Sequence, residues 1–454
     1  MKPANSGQER LTREKWMQPR LLSCIEMLCG KILLSLARSS LMANRLTLLE
    51  RSIMGSFSSE QLSRRNVLGQ LSTGVASILA ASGWSLQSLA AAQPATLDAP
   101  SETSWPSFRG TPDQRGVAKC TLAEKPELKW EVASPDGWVA GVAIVGEHVF
   151  APALCGYLYC FDLKTGQEIW KYRSIEDPDP KKFAAGFKAT PLITETMVYI
   201  GDEDGVLHAL ERATGKKSWV FASGAEIAGC VALFEDKLLL ASHDSYLYCL
   251  SKDGQEVWKF QTNDRINCSP GIADTFTFLA GCDEHLRVID LKTGKEFRDM
   301  PLESFLIASP AIVGDLLYVG THTGLIVCVD WRKGEFVWRY EGPRKMPFHA
   351  SAAVTDDLVL VGGHDKHLHA VDRATGVAKW TFATRAKIES SGTVVDRRIF
   401  FGSNDGNLYG VSLDTGAEVW KFNAGKGISA GVAIGEGCLV VGEDQQSGRL
   451  LCFA

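Results

Sequence analysis

The sequence lacks any surplus of positive charge. Its 454 residues carry a formal net charge of -5, and residues 93–454 hold 37 Lys and Arg against 48 Asp and Glu. Sequence-independent binding of nucleic acid needs a basic surface, so this class of function is excluded. The Gly-x-Ser-x-Gly elbow, the phosphate-binding loop and the zinc-binding helix motif are also absent, which leaves hydrolase and nucleotide chemistry without support.

Cysteine is present, but never in a pattern that binds zinc. The chain has 12 cysteines, no Cys-x-x-Cys spacing and no two adjacent cysteines. Cys160, Cys249, Cys328 and Cys452 share one position of the repeat described below, where other copies have Ala or Gly. We therefore expect these four to be small, buried packing residues.

The head of the chain has the layout of an export signal. Residues 63–68 read Ser-Arg-Arg-Asn-Val-Leu, and a moderately apolar, uncharged stretch and Ala-Ala-Ala follow before Gln93. Residues 54–92 are predicted to be a twin-arginine signal peptide that directs the chain to the periplasm or otherwise out of the cell. Residues 1–53 are then an upstream extension that is unstructured or not translated. An uncleaved anchor or a chance arginine pair is the alternative.

A turn glycine followed four residues later by a large side chain recurs about every 40 residues. The glycines are Gly166, Gly215, Gly254, Gly294, Gly334, Gly376 and Gly416. The partners are Trp170, Trp219, Trp258, Arg298, Trp338, Trp380 and Trp420, and Trp130 precedes them in the same register. Tight turns of this kind need positive φ, which glycine adopts without penalty. A large residue also stands two positions after the tryptophan and therefore lies on the same face of the strand. We expect this pair of aromatic side chains to pack between neighbouring blades.

Each repeat reads as four short strands, and the period is typical of a β-propeller. In the fifth repeat the strands are residues 308–312, 316–320, 325–330 and 336–340. Eight third strands occur but only seven fourth strands follow them, while an unattached strand at 128–132 precedes the first repeat. The sequence therefore predicts an all-β, eight-bladed β-propeller of four-stranded antiparallel blades over residues 128–454, closed by the N-terminal strand. Residues 93–127 are a lead-in segment.

The repeat phrase resembles that of a known family. Residues 370–376, Ala-Val-Asp-Arg-Ala-Thr-Gly, with Trp380 are similar to the repeat of the PQQ-like (quinoprotein-type) β-propellers. Residues 105–110, Trp-Pro-Ser-Phe-Arg-Gly, resemble the lead-in of exported members. The resemblance covers the chain from Trp105 to its end and implies the fold, while propellers host unrelated functions.

Two branches of that family imply different functions. Quinoprotein alcohol and sugar dehydrogenases hold pyrroloquinoline quinone (PQQ) and calcium at the axial mouth. Scaffold members, such as the propeller lipoprotein of the outer-membrane barrel-assembly machinery, bind partner segments and catalyse nothing. The sequence departs from both, because it has no adjacent cysteines for the disulfide that covers the quinone and no lipid-attachment cysteine after the signal.

Two sets of polar residues are candidates for a site. One repeat position in the loops between second and third strands includes Glu203, His243, Asp283, His322 and His364. These could indicate a metal, but the histidines belong to blades three, five and six, and solvated polar turns explain the same pattern. The loops that lead to the axis supply Trp138, Lys188, Asn267, His349, Lys387 and Glu389. They would suit a planar anionic ligand or a peptide, or they simply plug the mouth.

These observations predict a non-catalytic binding or scaffold module that presents its loop face to a protein, a peptide or a small ligand. The sequence requires no cofactor for this role and no metal. The alternative is a dehydrogenase of alcohols or sugars that depends on PQQ and calcium. Arg298, in place of a tryptophan, either pairs with an acidic partner surface or marks a weaker blade.

Overall fold

The fold is built from strands. The structure, a computed structural model, describes residues 99–177, 179 and 181–454. The predicted extension 1–53, the predicted signal 54–92 and the start of the predicted lead-in lie outside the described residues. Within them, 32 strands form eight four-stranded sheets in which all paired neighbours are antiparallel. The prediction of an all-β propeller with eight four-stranded antiparallel blades is confirmed.

The first four blades follow one another along the chain, from the inner to the outer strand. Blade 1 contains β2 (Ala143–Val145), β3 (His148–Pro152), β4 (Tyr157–Asp162) and β5 (Glu168–Arg173). Blade 2 contains β6 (Leu192–Ile193), β7 (Met197–Gly201), β8 (Val206–Glu211) and β9 (Lys217–Ala222). Blade 3 contains β10 (Ala232–Phe234), β11 (Lys237–Ala241), β12 (Tyr246–Ser251) and β13 (Glu256–Gln261). Blade 4 contains β14 (Gly271–Ala273), β15 (Phe276–Ala280), β16 (His285–Asp290) and β17 (Lys295–Pro301).

The last four blades repeat this order, except that the final blade takes its outer strand from the start of the domain. Blade 5 contains β18 (Ala311–Val313), β19 (Leu316–Gly320), β20 (Leu325–Asp330) and β21 (Glu335–Glu341). Blade 6 contains β22 (Ala353–Val354), β23 (Leu358–Gly362), β24 (His367–Asp372) and β25 (Ala378–Ala383). Blade 7 contains β26 (Thr393–Val395), β27 (Arg398–Gly402), β28 (Asn407–Ser412) and β29 (Glu418–Asn423). Blade 8 contains β30 (Ala433–Gly435), β31 (Cys438–Gly442), β32 (Arg449–Phe453) and β1 (Leu128–Ala133).

In blade 8, strands from the two ends of the domain pair with each other. β1 lies antiparallel to β32, with Trp130 opposite Cys452 and Val132 opposite Leu450. The backbone N–H of Glu127 and the backbone N–H of Ala454 each donate to the other residue's carbonyl at 3.1 Å. A paired edge offers no free ladder to another chain, so this register also protects the last blade from edge-to-edge association.

Neighbouring blades are joined by the repeated tryptophan. The indole of Trp170 on β5 lies on the turn of Gly215 in blade 2, and its Nε1 donates to the Arg212 carbonyl at 3.0 Å. A Cβ atom on Gly215 would stand 2.4 Å from that ring, and Gly215 has φ +67°. The turn therefore requires glycine both for its backbone and for its contact with the indole. Six tryptophans make this indole-to-carbonyl bond: Trp130, Trp170, Trp219, Trp338, Trp380 and Trp420.

Blade 4 departs from this rule on both sides. Arg298 takes the place of the tryptophan, and its Nη2 donates to the Arg332 carbonyl in blade 5 at 2.8 Å, the role that an indole has elsewhere. On the other side, Trp258 packs on Gly294, but its buried Nε1 has no hydrogen-bond partner among the described residues. The guanidinium of Arg298 therefore serves the contact between blades.

The lead-in segment crosses the inner strands at one end of the axis. Backbone N–H groups of seven blades donate to its carbonyls at 2.8–2.9 Å: Ile144 to Trp105, Ile193 to Pro106, Ile272 to Pro112, Ile312 to Asp113, Val354 to Arg115, Val394 to Gly116 and Glu436 to Thr103. Arg109, 3% exposed, donates to the carbonyls of Gly392 and Ala352 at 2.7 and 2.9 Å. Burial lowers the pKa of Arg109 to about 9. The segment thus seals this end of the propeller.

Candidate binding site at the axial mouth

The axis opens at the end away from the lead-in segment into a cavity of about 510 Å³. Phe108 from the lead-in segment also lines it. Two kinds of loop surround the opening: blade linkers, which join the outer strand of one blade to the inner strand of the next, and 2–3 loops, which join the second and third strands of a blade.

The wall of the cavity is a belt of small polar residues, one from each blade. They are Gly141, Thr190, Cys230, Ser269, Ser309, Ser351, Ser391 and Gly431, in chain order. Along five of the steps the backbone N–H of one residue donates to the side chain of the next, at 2.9–3.2 Å. Each of these acceptor side chains thus receives a hydrogen bond from the preceding blade, and the bonds join neighbouring blades around the cavity.

Positive and negative groups at the mouth on the side of blades 2 and 3 neutralise each other. Lys188 Nζ lies 2.6 Å from Oε1 of Glu203 and 3.2 Å from Oε1 of Glu226. The second oxygen of Glu226 is 3.6 Å from Nδ1 of His243. Burial lowers the pKa of His243, with Glu226 opposing the shift, so this imidazole is predominantly neutral at pH 7.

On the side of blades 5 and 6 four aromatic rings form a stack. Phe305 stacks on His322 with ring centres 3.9 Å apart, and His322 Nδ1 lies 2.9 Å from His349 Nε2. His349 in turn meets His364 edge to face at 4.3 Å. Burial, together with the neighbouring His364 and His322, lowers the pKa of His349 to about 4. The imidazole of His349, which lines the cavity, is therefore uncharged at pH 7.

A carboxylate completes this side of the mouth. Oε1 of Glu389 lies 3.2 Å from Nε2 of His364 and 2.7 Å from Nζ of Lys387, and Oε2 accepts a hydrogen bond from Asn404 at 3.2 Å. Burial opposes ionisation of Glu389, but the hydrogen bond and charge of Lys387, with His364 and Asn404, together outweigh it, and the pKa of the carboxyl lies below its usual range. An anion is therefore held against the imidazole of His364.

The structure brings most of the predicted residues together. Lys188, Asn267 and His349 line the cavity itself, and Lys387, Glu389 and His364 lie directly behind His349. Trp138 does not join them, since it is 1% exposed in the core between blades 8 and 1, where its Nε1 donates to the Gly448 carbonyl.

One predicted ring member lies one residue out of register. The residue at this position donates its backbone N–H to the preceding blade linker, as His243 does to Glu226 and His364 to Pro347. In blade 4 that donor is Cys282, and the neighbouring Asp283 instead forms a buried ion pair with Arg287. Asp283 is thus no member of the ring. The position lies six residues before the residue paired with the tryptophan, as His243 lies before Cys249, and six residues before Val288, which pairs with Arg298, stands Cys282.

Several residues of the site were not among those predicted. Phe305, Arg265 and Glu226 come from blade linkers that vary in sequence, and Phe108 comes from the lead-in segment. The belt, by contrast, had a signal: its members recur about every 40 residues, immediately before the inner strands. Aligning the repeats on the inner strand would have found it.

The sequence matches the model of a known protein family. A family model described as outer membrane protein assembly factor BamB matches residues 115–231, 205–344 and 299–420. The chain belongs to this family of PQQ-like β-propeller proteins.

Curated relatives are distant. BamB of Shewanella oneidensis is 21% identical over 296 residues, which are 56% of this chain and 70% of that protein. The β-alanine-activating enzyme of Mus musculus is 28% identical over 113 residues, 23% of this chain. That match spans only 10% of the length of the enzyme.

Solved structures share the fold at low identity. BamB from Moraxella catarrhalis superposes with a TM-score of 0.60 at 18% identity, over 72% of this chain and 97% of that one. The quinohemoprotein alcohol dehydrogenase from Comamonas testosteroni gives 0.66 at 13% identity, over 77% and 80%. The described part of this chain contains no helix with the length and apolar content that crossing a membrane requires.

Proposed function

We propose that the chain is an exported binding module that receives a segment of a protein or peptide in the axial mouth and catalyses no reaction. The observation that carries the proposal is the cavity of about 510 Å³ at the axis, which loops of the blades and Phe108 line. A chain end, a loop or a few side chains fit such a volume. Family membership supports the same role, because the matching model is described as an assembly factor.

The chemistry of the mouth favours binding over catalysis. Lys188 is neutralised by Glu203 and Glu226, and Lys387 by Glu389, so the charges form a fixed polar rim. The open surface between them is aromatic and aliphatic, from Phe305 to the 42% exposed Ile307. An apolar floor with a polar rim is the usual anatomy of a recognition surface.

Export is part of the proposal. The Arg-Arg pair at 64–65 and the uncharged stretch after it favour passage through the twin-arginine route. The assembly factors among the relatives are named for the outer membrane, which is consistent with a periplasmic location.

A photo-crosslinking amino acid in place of Ile307 tests the proposal in the producing cell. We expect one or a few discrete polypeptide adducts, since Ile307 lies at the mouth. The matched control places the same amino acid at Val377, which is 62% exposed on the outer rim. Equal labelling at both positions, or no polypeptide adduct at Ile307, would contradict the proposal.

A second candidate is a PQQ-dependent dehydrogenase, favoured by the cations Lys188 and Arg265 beside the cavity and by the likeness in fold. Calcium, however, takes six to eight oxygen ligands. Glu203 and Glu226 share the ammonium of Lys188, and the other potential ligands beside Glu389 are the imidazoles of His349 and His364, not oxygens. These residues do not fit calcium. Titration with PQQ and calcium, followed by dye reduction with alcohols and sugars, separates the candidates: saturable binding with turnover would favour the enzyme.

A further inference from the structure

Three side chains at the mouth have the identity and the spacing of metal ligands. His349 comes from the linker between blades 5 and 6, His364 from the 2–3 loop of blade 6, and Glu389 from the linker between blades 6 and 7. One ligand atom of each lies within 4.8 Å of the other two. The loops are neighbours in space although the residues are 15 and 25 positions apart in the chain.

A buried nitrogen in this group has no hydrogen-bond partner. Nε2 of His364 is inaccessible to solvent and makes no hydrogen bond with any described residue, although it lies 3.2 Å from Oε1 of Glu389. Oδ1 of Asn404, whose amide donates to the same carboxylate, is likewise buried and unpartnered. Buried polar atoms are almost always satisfied, so two such atoms around one carboxylate indicate that a ligand belongs there.

The imidazoles are prepared for this role. His322 holds the ring of His349 through the 2.9 Å contact between Nδ1 and Nε2, and Phe305 stacks on His322. Ligating imidazoles are typically oriented by a polar partner on their other ring nitrogen.

We infer that His349, His364 and Glu389 bind a divalent transition-metal ion of the zinc class at the rim of the axial cavity. Two imidazoles and one carboxylate form a ligand set that zinc uses when it keeps a position open. The same nitrogen-rich set disfavours calcium and magnesium. This inference does not depend on the proposed binding function.

The ammonium of Lys387 competes with the metal ion for the carboxylate of Glu389. Its ammonium lies 2.7 Å from Oε1 of Glu389, and its side chain is 44% exposed, so it can swing into solvent when the metal arrives. Removing this charge should therefore tighten metal binding. That is an unusual outcome for a substitution next to a site, and it distinguishes ligation by Glu389 from adventitious binding elsewhere.

The test is calorimetric titration of the chelator-treated, purified chain with Zn²⁺, and with Co²⁺ for its visible absorption. We expect one ion per chain. His364→Ala and Glu389→Gln should each weaken binding by more than about 100-fold, and His322→Ala, which loses only a positioning residue, by about 10- to 100-fold. Lys387→Met should bind more tightly than the parent chain.

Two matched controls separate this site from other donors. His243→Ala removes the histidine at the equivalent loop position of blade 3, which also lies beside a glutamate, and Cys282→Ser removes one of the two thiols that line the cavity. Both should bind as the parent does. Circular dichroism and the metal-free melting temperature verify that each variant is folded. Unchanged binding in His364→Ala, no binding by the parent chain, or no gain in Lys387→Met would overturn the inference.

Discussion

The outer rim of the propeller and its axial mouth obey different rules. At the rim, seven of the eight blades present an indole to the next blade, six of them with a hydrogen bond to a carbonyl, and blade 4 presents Arg298 with the same kind of hydrogen bond. At the mouth, the position that is His364 in blade 6 is Glu203 in blade 2 and Asn404 in blade 7. Repetition therefore makes the fold, and departure from repetition makes the candidate site.

The largest effect should follow from breaking a regular contact at the rim. Trp170→Ala should lower the free energy of unfolding by about 3 to 5 kcal/mol, because it removes a large, 9% exposed side chain and leaves the Arg212 carbonyl without its donor. Urea unfolding followed by circular dichroism measures it. Ile169→Ala, one residue earlier and 47% exposed, should change little. Equal losses in the two variants would show that the rim contact is not what joins the blades.

The rim could be predicted from the sequence because the repeats share one pattern, and each copy indicates the same structure. A glycine with a large residue four positions later occurs seven times between alternating strands, and with the separate strand at 128–132 it determines the blade and the count of eight blades. The mouth could be predicted only as a set of candidates. The sequence of each of its loops occurs only once in the chain. His349 and His364 belong to different repeat positions, so no other repeat indicates that their rings meet.

The lead-in segment shows a second limit of sequence reasoning. Its resemblance to exported family members located it, but not its contacts with seven blades, because those bonds use backbone atoms that every residue has. The contact between Arg109 and Gly116, by contrast, depends on residue type. A Cβ atom on Gly116 would stand 1.8 Å from the Arg109 guanidinium, so these two residues depend on each other.

The irregular contact of blade 4 sharpens the comparison. Arg298→Ala should cost about 1.5 to 3 kcal/mol, the range for a lost hydrogen bond from a charged donor, and therefore less than Trp170→Ala. Urea unfolding under the same conditions compares the two. Lys295→Ala, exposed at the start of the same strand, is the control and should have no measurable effect. A loss as large as that of Trp170→Ala would mean that the guanidinium replaces the indole fully.

The smallest effect should come from the mouth and should depend on pH. The pKa of His349 is lowered to about 4 in the folded chain by burial and by the neighbouring His364 and His322, with Glu389 opposing and Lys387 adding to the shift. The unfolded chain takes up a proton at this residue as the pH falls below 6.5, while the folded chain does not until about pH 4. The free energy of unfolding therefore decreases as the pH is lowered from 6.5 to about 4.

His349→Gln should remove this contribution, about 1 kcal/mol between pH 7 and pH 4.5 after screening by solvent, and flatten the profile. Urea midpoints at pH 7, 5.5 and 4.5 in chelator-treated samples measure it. Ser391→Ala on the belt changes a buried polar group without a titration, so its profile should run parallel to that of the parent chain. A parallel profile for His349→Gln as well would mean that this imidazole is hydrated in the folded protein, and that the mouth is more open than its hydrogen bonds indicate.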